Sequence, residues 1–344
     1  MKNKTIFKYH SWLGLITGLY LIIMGISGAI LVFHDSIDQT VPIDIPAKII
    51  QKSPDYDRVI SVIQHKYPLW EIRLAKFSQD EALIIDLRNL KERRKIFVDP
   101  FTSEIIEDLN YHSQFTSWLL KFHYSLHAGI FGRIAILLFG ILYFFALVTG
   151  IYLYRKSILK TLIFKVKIKN KNKRNYYSGL HHYIGVWSLF LNIILVITGI
   201  VLSFKVSKAA LNSPLPPASP KIVASVNEIL HNLHKNNPEF TPTYIRLPKQ
   251  ETAKIMIYGK YQKDAFYFSE FFNSFHIDYK TGKILSYQKI SDASILKKLD
   301  SMVTPFHYGE FGGIWIKILY SFIGLSGPFL SITGFYLWWK LNKN

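Results

Sequence analysis

One stretch of membrane-type sequence occurs twice in this chain, with histidines at matched places. The first copy runs from His10 through Gly14 to Ser27, Gly28 and Phe33. The second runs from His181 through Gly185 to Thr198, Gly199 and Phe204. The histidine and the glycine of the Ser/Thr-Gly pair lie 18 residues apart both times. A second element repeats as well: His123 precedes Thr149, Gly150, Tyr152 and Leu153 as His307 precedes Thr333, Gly334, Tyr336 and Leu337, with 27 residues from histidine to glycine in each. A chain written this way is expected to fold as two similar halves, each sending one apolar helix across a bilayer and returning with another.

Four apolar runs, about 11–34, 129–154, 183–204 and 313–339, are long enough to span a membrane, and none contains an acidic residue. The first is too long for the hydrophobic core of a signal peptide and has no small-residue cleavage site after it, so it is expected to remain as an anchor. The net charge of +19 raises the question of nucleic acid, but the placement of charge points elsewhere. Residues 155–182 hold nine Lys/Arg and no Asp or Glu, whereas all 23 acidic residues fall within 35–108 and 228–310. This asymmetry puts both termini and the 155–182 loop in the cytoplasm against anionic lipid, and the two long inserts outside. Nucleic acid is not an expected partner.

The fold class that follows is a mainly α membrane protein with four transmembrane helices as a duplicated 2+2 repeat and two extracytoplasmic α+β inserts. The expected order is helix 1 within 1–34, a first module at 35–122, helix 2 within 123–154, a basic cytoplasmic loop at 155–182, helix 3 at 183–204, a second module at 205–306 and helix 4 within 307–344. Each insert reads as a helix (Asp57–Tyr67, Val223–Lys235) followed by strands (Glu71–Phe77 and Ala82–Leu87; Thr243–Leu247 and Ala253–Tyr258). Each then closes with a hairpin whose first strand ends in aspartate, Asp99 or Asp278. Ser213–Pro220, rich in proline, reads as a stiff extended linker.

The chain has no cysteine, which excludes disulfides, thiolate-held iron–sulfur clusters and covalently attached haem. A redox cofactor must then be held by histidine, and haem in a helix bundle is held by neutral imidazoles from facing helices. Duplication brings equivalent residues together near a common axis. The expected axial pairs are therefore His10 with His181 at the cytoplasmic face and His123 with His307 at the outer face, serving two non-covalent haem b groups. The competing reading makes these histidines interfacial anchors of helix ends. Arg133 and Lys317 each lie ten residues after a repeat histidine, as partners for haem propionates or as snorkelling cations. The small pairs Ala128-Gly129 and Gly312-Gly313 admit either a flat macrocycle or a close helix. His34, His127 and His182 break the internal symmetry, matching Lys205, Phe311 and Ser11, and stand as less secure ligand candidates alongside His112. His65, His231, His234 and His276 read as solvated or packed, and a zinc site at His231 and His234 lacks a third ligand.

The ordered set of motifs resembles the PepSY-associated transmembrane family over nearly the whole chain. Those motifs are histidine-x3-glycine, Ser/Thr-Gly-x4-Phe, the aspartate turn, and Thr-Gly-x-Tyr-Leu at the helix end. The family includes iron-regulated inner-membrane proteins and haem-containing siderophore reductases. The resemblance implies PepSY-like inserts, carries its histidine pattern onto His10, His123, His181 and His307, and places the chain in a bacterial inner membrane. It implies a haem b reductase that passes electrons from an external donor, a quinol or a cytoplasmic reductase, to an extracytoplasmic ferric siderophore or other ferric chelate. No nucleotide-binding glycine loop is present to supply an internal donor. Two other readings stay open: a non-enzymatic binding or accessory protein, and a permease for siderophore or peptide.

Overall fold

The computed structural model of the protein describes residues 2–38, 53–76, 82–212 and 215–342. In chain order its helices are α1 (Lys2–Leu31), α2 (His34–Asp38), α3 (Tyr56–Lys66), α4 (Phe115–Ser125), α5 (Gly129–Tyr154), α6 (Ile158–Leu162), α7 (Lys173–Leu211), α8 (Val226–Asn236), α9 (Ile295–Tyr308) and α10 (Gly313–Asn342). The strands are β1 (Glu71–Lys76), β2 (Leu83–Arg88), β3 (Arg93–Val98), β4 (Ile105–Asn110), β5 (Phe240–Arg246), β6 (Ile255–Tyr261), β7 (Ser274–Ile277) and β8 (Ile284–Gln288). These elements fall into two compact units. One comprises Met1–Ile37, Trp118–Asn212 and Val303–Asn344, and the other Asp38–Ser117 and Ser213–Met302.

In the first unit α1, α5, α7 and α10 are long and apolar enough to cross a membrane. Each of α1 and α7 packs on both α5 and α10, so α1 and α7 face each other across the bundle. The α1–α10 contact is the most extensive, and Gly25 permits its close approach: a Cβ there would stand 2.4 Å from the Gly324 carbonyl oxygen and 2.5 Å from Pro328 Cδ. Small residues at such crossings let backbones approach where no hydrophobic effect drives association.

Two features depart from the expected boundaries. Helix α7 begins at Lys173, inside the expected cytoplasmic loop, with the Asn172 side chain accepting from the Asn175 N–H as its cap. His123 and His307 lie on the separate helices α4 and α9, broken from α5 and α10 by left-handed backbone at Leu126, His127 and Gly129 and at Gly309 and Gly313. Gly129 and Gly313, at φ 58° and 62°, have open space where a Cβ would stand, so the turn conformation explains these glycines.

The second unit is one antiparallel sheet of eight strands in the order β4-β3-β2-β1-β5-β6-β7-β8. The two inserts were expected as separate small modules; they instead join edge to edge through Arg73 opposite Arg246 and Leu74 opposite Ile245. The physical reason is that β1 and β5 would each be an exposed edge with unpaired N–H and C=O groups in a four-stranded half. Alternate residues, including Ile72, Leu74, Ile85, Leu87, Ile96, Ile245, Ile257 and Ile277, share one buried core with Val59 and Ile63 of α3 and Ile229 and Leu233 of α8. The two helices start side by side, because Asp57 accepts from the Ser225 hydroxyl and the Val226 N–H, both at 2.5 Å. The expected aspartate turns are matching: Asp99 accepts from the N–H groups of Phe101 and Thr102, and Asp278 from those of Lys280 and Thr281. Residues 39–52 and 77–81 of the expected first module, and 213–214 of the expected linker, lie outside the described residues.

Candidate functional site

The four repeat histidines come together in two pairs. His10 on α1 and His181 on α7 have ring centres 6.4 Å apart, and His123 on α4 and His307 on α9 are also 6.4 Å apart. The partners come from opposite halves of the sequence each time. The two levels are separated along α1 by the span from His10 to Ser27, and along α7 by that from His181 to Thr198, about 26 Å at about 1.5 Å per residue.

Each ring is held the same way. The Nδ1 atom of His10 lies 3.0 Å from the Thr149 hydroxyl and 3.1 Å from the Ala146 carbonyl oxygen. For His181 the partner is Thr333 at 2.8 Å, for His123 it is Ser27 at 2.8 Å, and for His307 it is Thr198 at 3.1 Å. For His10 the direction is set, because the Ala146 carbonyl oxygen can only accept and so Nδ1 carries the ring proton. Each hydroxyl also lies within reach of a carbonyl oxygen of its own helix, Ser27 of Ile23, Thr149 of Ala146, Thr198 of Ile194 and Thr333 of Phe329. A hydroxyl that donates there accepts from Nδ1 and leaves Nε2 with its lone pair.

The glycine after each hydroxyl completes the clamp. A Cβ at Gly150 would meet His10 Cε1 at 3.3 Å, at Gly28 His123 Cε1 at 3.3 Å, at Gly199 His307 Cε1 at 3.1 Å, and at Gly334 His181 Cε1 at 3.4 Å. The Ser/Thr-Gly dipeptides therefore serve the histidine of the partner helix: the hydroxyl engages Nδ1 and orients the ring, and the glycine makes room for it.

The spacing discriminates between direct and bridged imidazoles. Two rings joined by an N–H···N hydrogen bond of about 2.9 Å would have centres about 5.2 Å apart, taking about 1.1 Å from ring centre to nitrogen. Two rings facing one metal through bonds of about 2.0 Å would have centres about 6.3 Å apart. The observed 6.4 Å in both pairs is too long for the first case and has room for the second. Neutral, Nδ1-protonated imidazoles are also the donor set that haem iron takes. Haem in each pair is therefore compatible with the residues present.

The remaining candidates are engaged elsewhere. His34 places Nδ1 3.0 Å from the Leu31 carbonyl oxygen and Nε2 3.1 Å from Asp35. His127 lies against Trp118 and Phe122, with ring centres 5.0 and 5.9 Å away. His182 stacks on Tyr154 at 4.1 Å, with Nε2 near the Ser157 and Thr161 hydroxyls. His112 is exposed on the surface. Lys317 reaches Asp35 at 3.4 Å. Arg133 donates to the Val206 carbonyl oxygen and lies over Tyr124, the neighbour of His123, while its buried Nε has no hydrogen-bond partner. Among the described residues, no cluster of three or more His, Asp or Glu side chains is placed to hold a bare metal ion.

Residues 7–340 match the family model of the PepSY-associated transmembrane region. The chain belongs to that family. No curated protein matches the chain. Within this PepSY-associated region, Ser27, Thr149, Thr198 and Thr333 stand in the sequence as repeat markers, and the structure adds their contact with the histidines. The signal that could have found them was present: each lies next to a glycine at a fixed distance from a histidine, and a hydroxyl beside a glycine near a ligand is a means of fixing that ligand.

Proposed function

We propose that the protein is an inner-membrane haem b reductase that passes single electrons to an extracytoplasmic ferric chelate, such as a ferric siderophore. Reduction of the chelated iron weakens its hold on hard oxygen ligands and frees it for uptake. The observation that carries this reading is the pair of histidine pairs, equally spaced and equally clamped, in a cysteine-free helix bundle. When bound, haem iron supplies a one-electron couple at each level.

The chain's own residues do the rest. His10 and His181 would hold one group and His123 and His307 the other, each through Nε2, because Nδ1 is engaged by a neighbouring hydroxyl. Arg133, with an unsatisfied buried Nε beside Tyr124, is suited to an acidic edge of the group held by His123 and His307. Lys317 is a weaker candidate because it already meets Asp35.

The matching clamps support a duplicated 2+2 origin of the bundle, with the two inserts as its PepSY-like elaborations. The acid-free, cation-rich stretch 155–182 supports cytoplasmic termini and extracytoplasmic inserts. The electron donor is external, a quinol or a cytoplasmic reductase. The test is anaerobic mixing of the dithionite-reduced, desalted protein with a ferric chelate. Reoxidation of the haem bands with stoichiometric ferrous iron, trapped by a ferrous-specific dye, is the expected result. Haem bands that stay reduced would overturn the proposal.

A further inference from the structure

The core-facing side of the sheet is apolar; the opposite side is not. Strand alternation puts Glu71 and Arg73 of β1, Asp86 and Arg88 of β2, Arg93 and Lys95 of β3, and Arg246 of β5 on the side away from α3 and α8. Register aligns them in two rows across the strands. Glu71 stands opposite Arg88, which stands opposite Arg93. Arg246 stands opposite Arg73, which stands opposite Asp86, which stands opposite Lys95.

Each carboxylate is shared by two arginines. Glu71 accepts from Arg73 at 2.8 Å and from Arg246 at 2.7 Å, and Asp86 accepts from Arg88 at 2.5 Å and Arg93 at 2.7 Å. The carboxylates are buried, at 7% and 6% exposure, whereas the side chains of Arg88, Arg93 and Arg246 keep about a third of their surface, at 33%, 29% and 33%. One buried carboxylate between two guanidinium groups leaves an excess positive charge at each cluster, and Lys95 adds another. Glu107, opposite Phe97 on the outer strand β4, is an acid at the margin of this face. Beside the charged rows, Tyr244, Tyr258 and Phe271 form a cluster with ring centres 5.2 to 6.1 Å apart.

We propose that this face binds an anionic, oxygen-rich ferric chelate, a carboxylate- or catecholate-bearing one, and so gives the reductase proposed above its substrate class. The proposal rests on that reading for the word ferric and on the face itself for the word anionic. Guanidinium forks recognise paired oxygens bidentately, and arginines steadied by a buried carboxylate have lost part of their entropy before a ligand arrives. The aromatic cluster, whose rings meet edge to face, adds apolar ring surface beside the charged rows. Anionic lipid is the other chemistry that positive charge invites, but that attraction acts on Lys and Arg alike and needs no fixed geometry. Here most of the cations are arginines fixed on strands.

The experiment is equilibrium binding of ferric citrate to the full-length protein in neutral detergent, with a neutral ferric trihydroxamate for comparison. Arg246→Lys keeps the charge but loses the fork, and Glu71 keeps Arg73. Lys95→Gln leaves both carboxylate clusters intact. Wild-type sheet circular dichroism identifies variants that have folded. The expected result is binding of ferric citrate that weakens about tenfold in either variant and with added salt, and weaker binding of the neutral chelate. Equal affinity in the variants, salt-independent binding, or no binding would overturn the proposal. So would loss of citrate binding in nanodiscs of anionic lipid, which would make the face a lipid contact. Haem reoxidation read in the same samples separates the two proposals. Chelate that binds without reoxidising haem removes the reductase and leaves the face; reoxidation untouched by both variants removes the face and leaves the reductase.

Discussion

The Nδ1 atom of His181 lies 2.8 Å from the hydroxyl of Thr333, whose own proton goes to the Phe329 carbonyl oxygen 2.8 Å away. This arrangement engages Nδ1 of His181 and leaves Nε2 as the nitrogen that faces away from the hydroxyl. Thr333→Val keeps the shape and removes the acceptor. Loss of such an orienting partner typically costs a metal site roughly 10–100-fold in affinity, and the predicted result is that much weaker haem retention with a shifted midpoint potential. Thr333→Ser restores the oxygen and is expected to restore both. A redox titration of the three proteins checks this; a valine variant with unchanged potential and haem content would show that the hydroxyl has no orienting role.

Gly199 leaves room for His307, with a Cβ there standing 3.1 Å from Cε1, while Gly14 has nothing within 4 Å. Gly199→Ala is expected to displace His307 and to lower haem content toward one group per chain, at an overpacking cost of about 1–3 kcal/mol. Gly14→Ala is expected to behave as wild type. Haem-to-protein ratios of the two variants are the readout, and equal ratios would count against the clamp.

Gly25→Ala places a methyl group 2.4 Å from the Gly324 carbonyl oxygen, a backbone atom that cannot rotate away. Helices α1 and α10 must separate to admit it. The predicted loss is at least about 1–3 kcal/mol, seen as a lower melting temperature of the detergent-solubilised bundle than for Gly14→Ala.

The sheet is expected to have a pH window of its own. Burial alone would raise the Asp86 carboxyl, but hydrogen bonds and charge from Arg88 and Arg93 outweigh it and hold it below the usual range. Glu71 likewise is raised by burial and lowered further by Arg73 and Arg246. A carboxylate with a lowered pKa in the fold contributes stability that is present above its unfolded value, near 4, and disappears as pH falls through the folded one. Tyr67 moves the other way: burial and its hydrogen bond to Asp108 push it up to about 12. Its contribution is present below its unfolded value, near 10, and is lost as pH rises toward the folded one. Burial, with Lys254 nearby, holds His276 of β7 below its usual value, so the neutral imidazole contributes stability above about pH 6.5 that declines as pH falls. Melting followed by sheet circular dichroism should therefore be flat between about pH 6.5 and 10, decline modestly below about 6.5, and fall further below about pH 4 and above about pH 10. A steady decline from pH 7 to pH 9 would contradict this assignment.

Much of this architecture was legible because it is local. Apolar runs, the aspartate turns at Asp99 and Asp278, and the strand alternation depend on near neighbours, and the elements formed close to where they were read. The pairing of His10 with His181 and of His123 with His307 was legible for a different reason, since a repeat implies an axis. The joined sheet was not legible: β1 meets β5 through Arg73 and Arg246, far apart in sequence, and nothing in either strand marks it as an edge awaiting the other. The breaks before α5 and α10 were also hidden, because left-handed backbone at Leu126 and His127 is set by the fold rather than by those residue types. The hydroxyl clamps escaped because a hydrogen bond between Thr333 and His181 is a tertiary fact, although both residues were marked as repeats.

The most direct test of the account is haem stoichiometry by pyridine haemochrome on the purified protein and on the four single histidine-to-alanine variants at His10, His181, His123 and His307. The account predicts two haem b groups per chain, one disturbed by His10→Ala and by His181→Ala alike, and the other by His123→Ala and by His307→Ala. A colourless protein from haem-replete cells, or His10→Ala and His181→Ala acting on different haems, would contradict it.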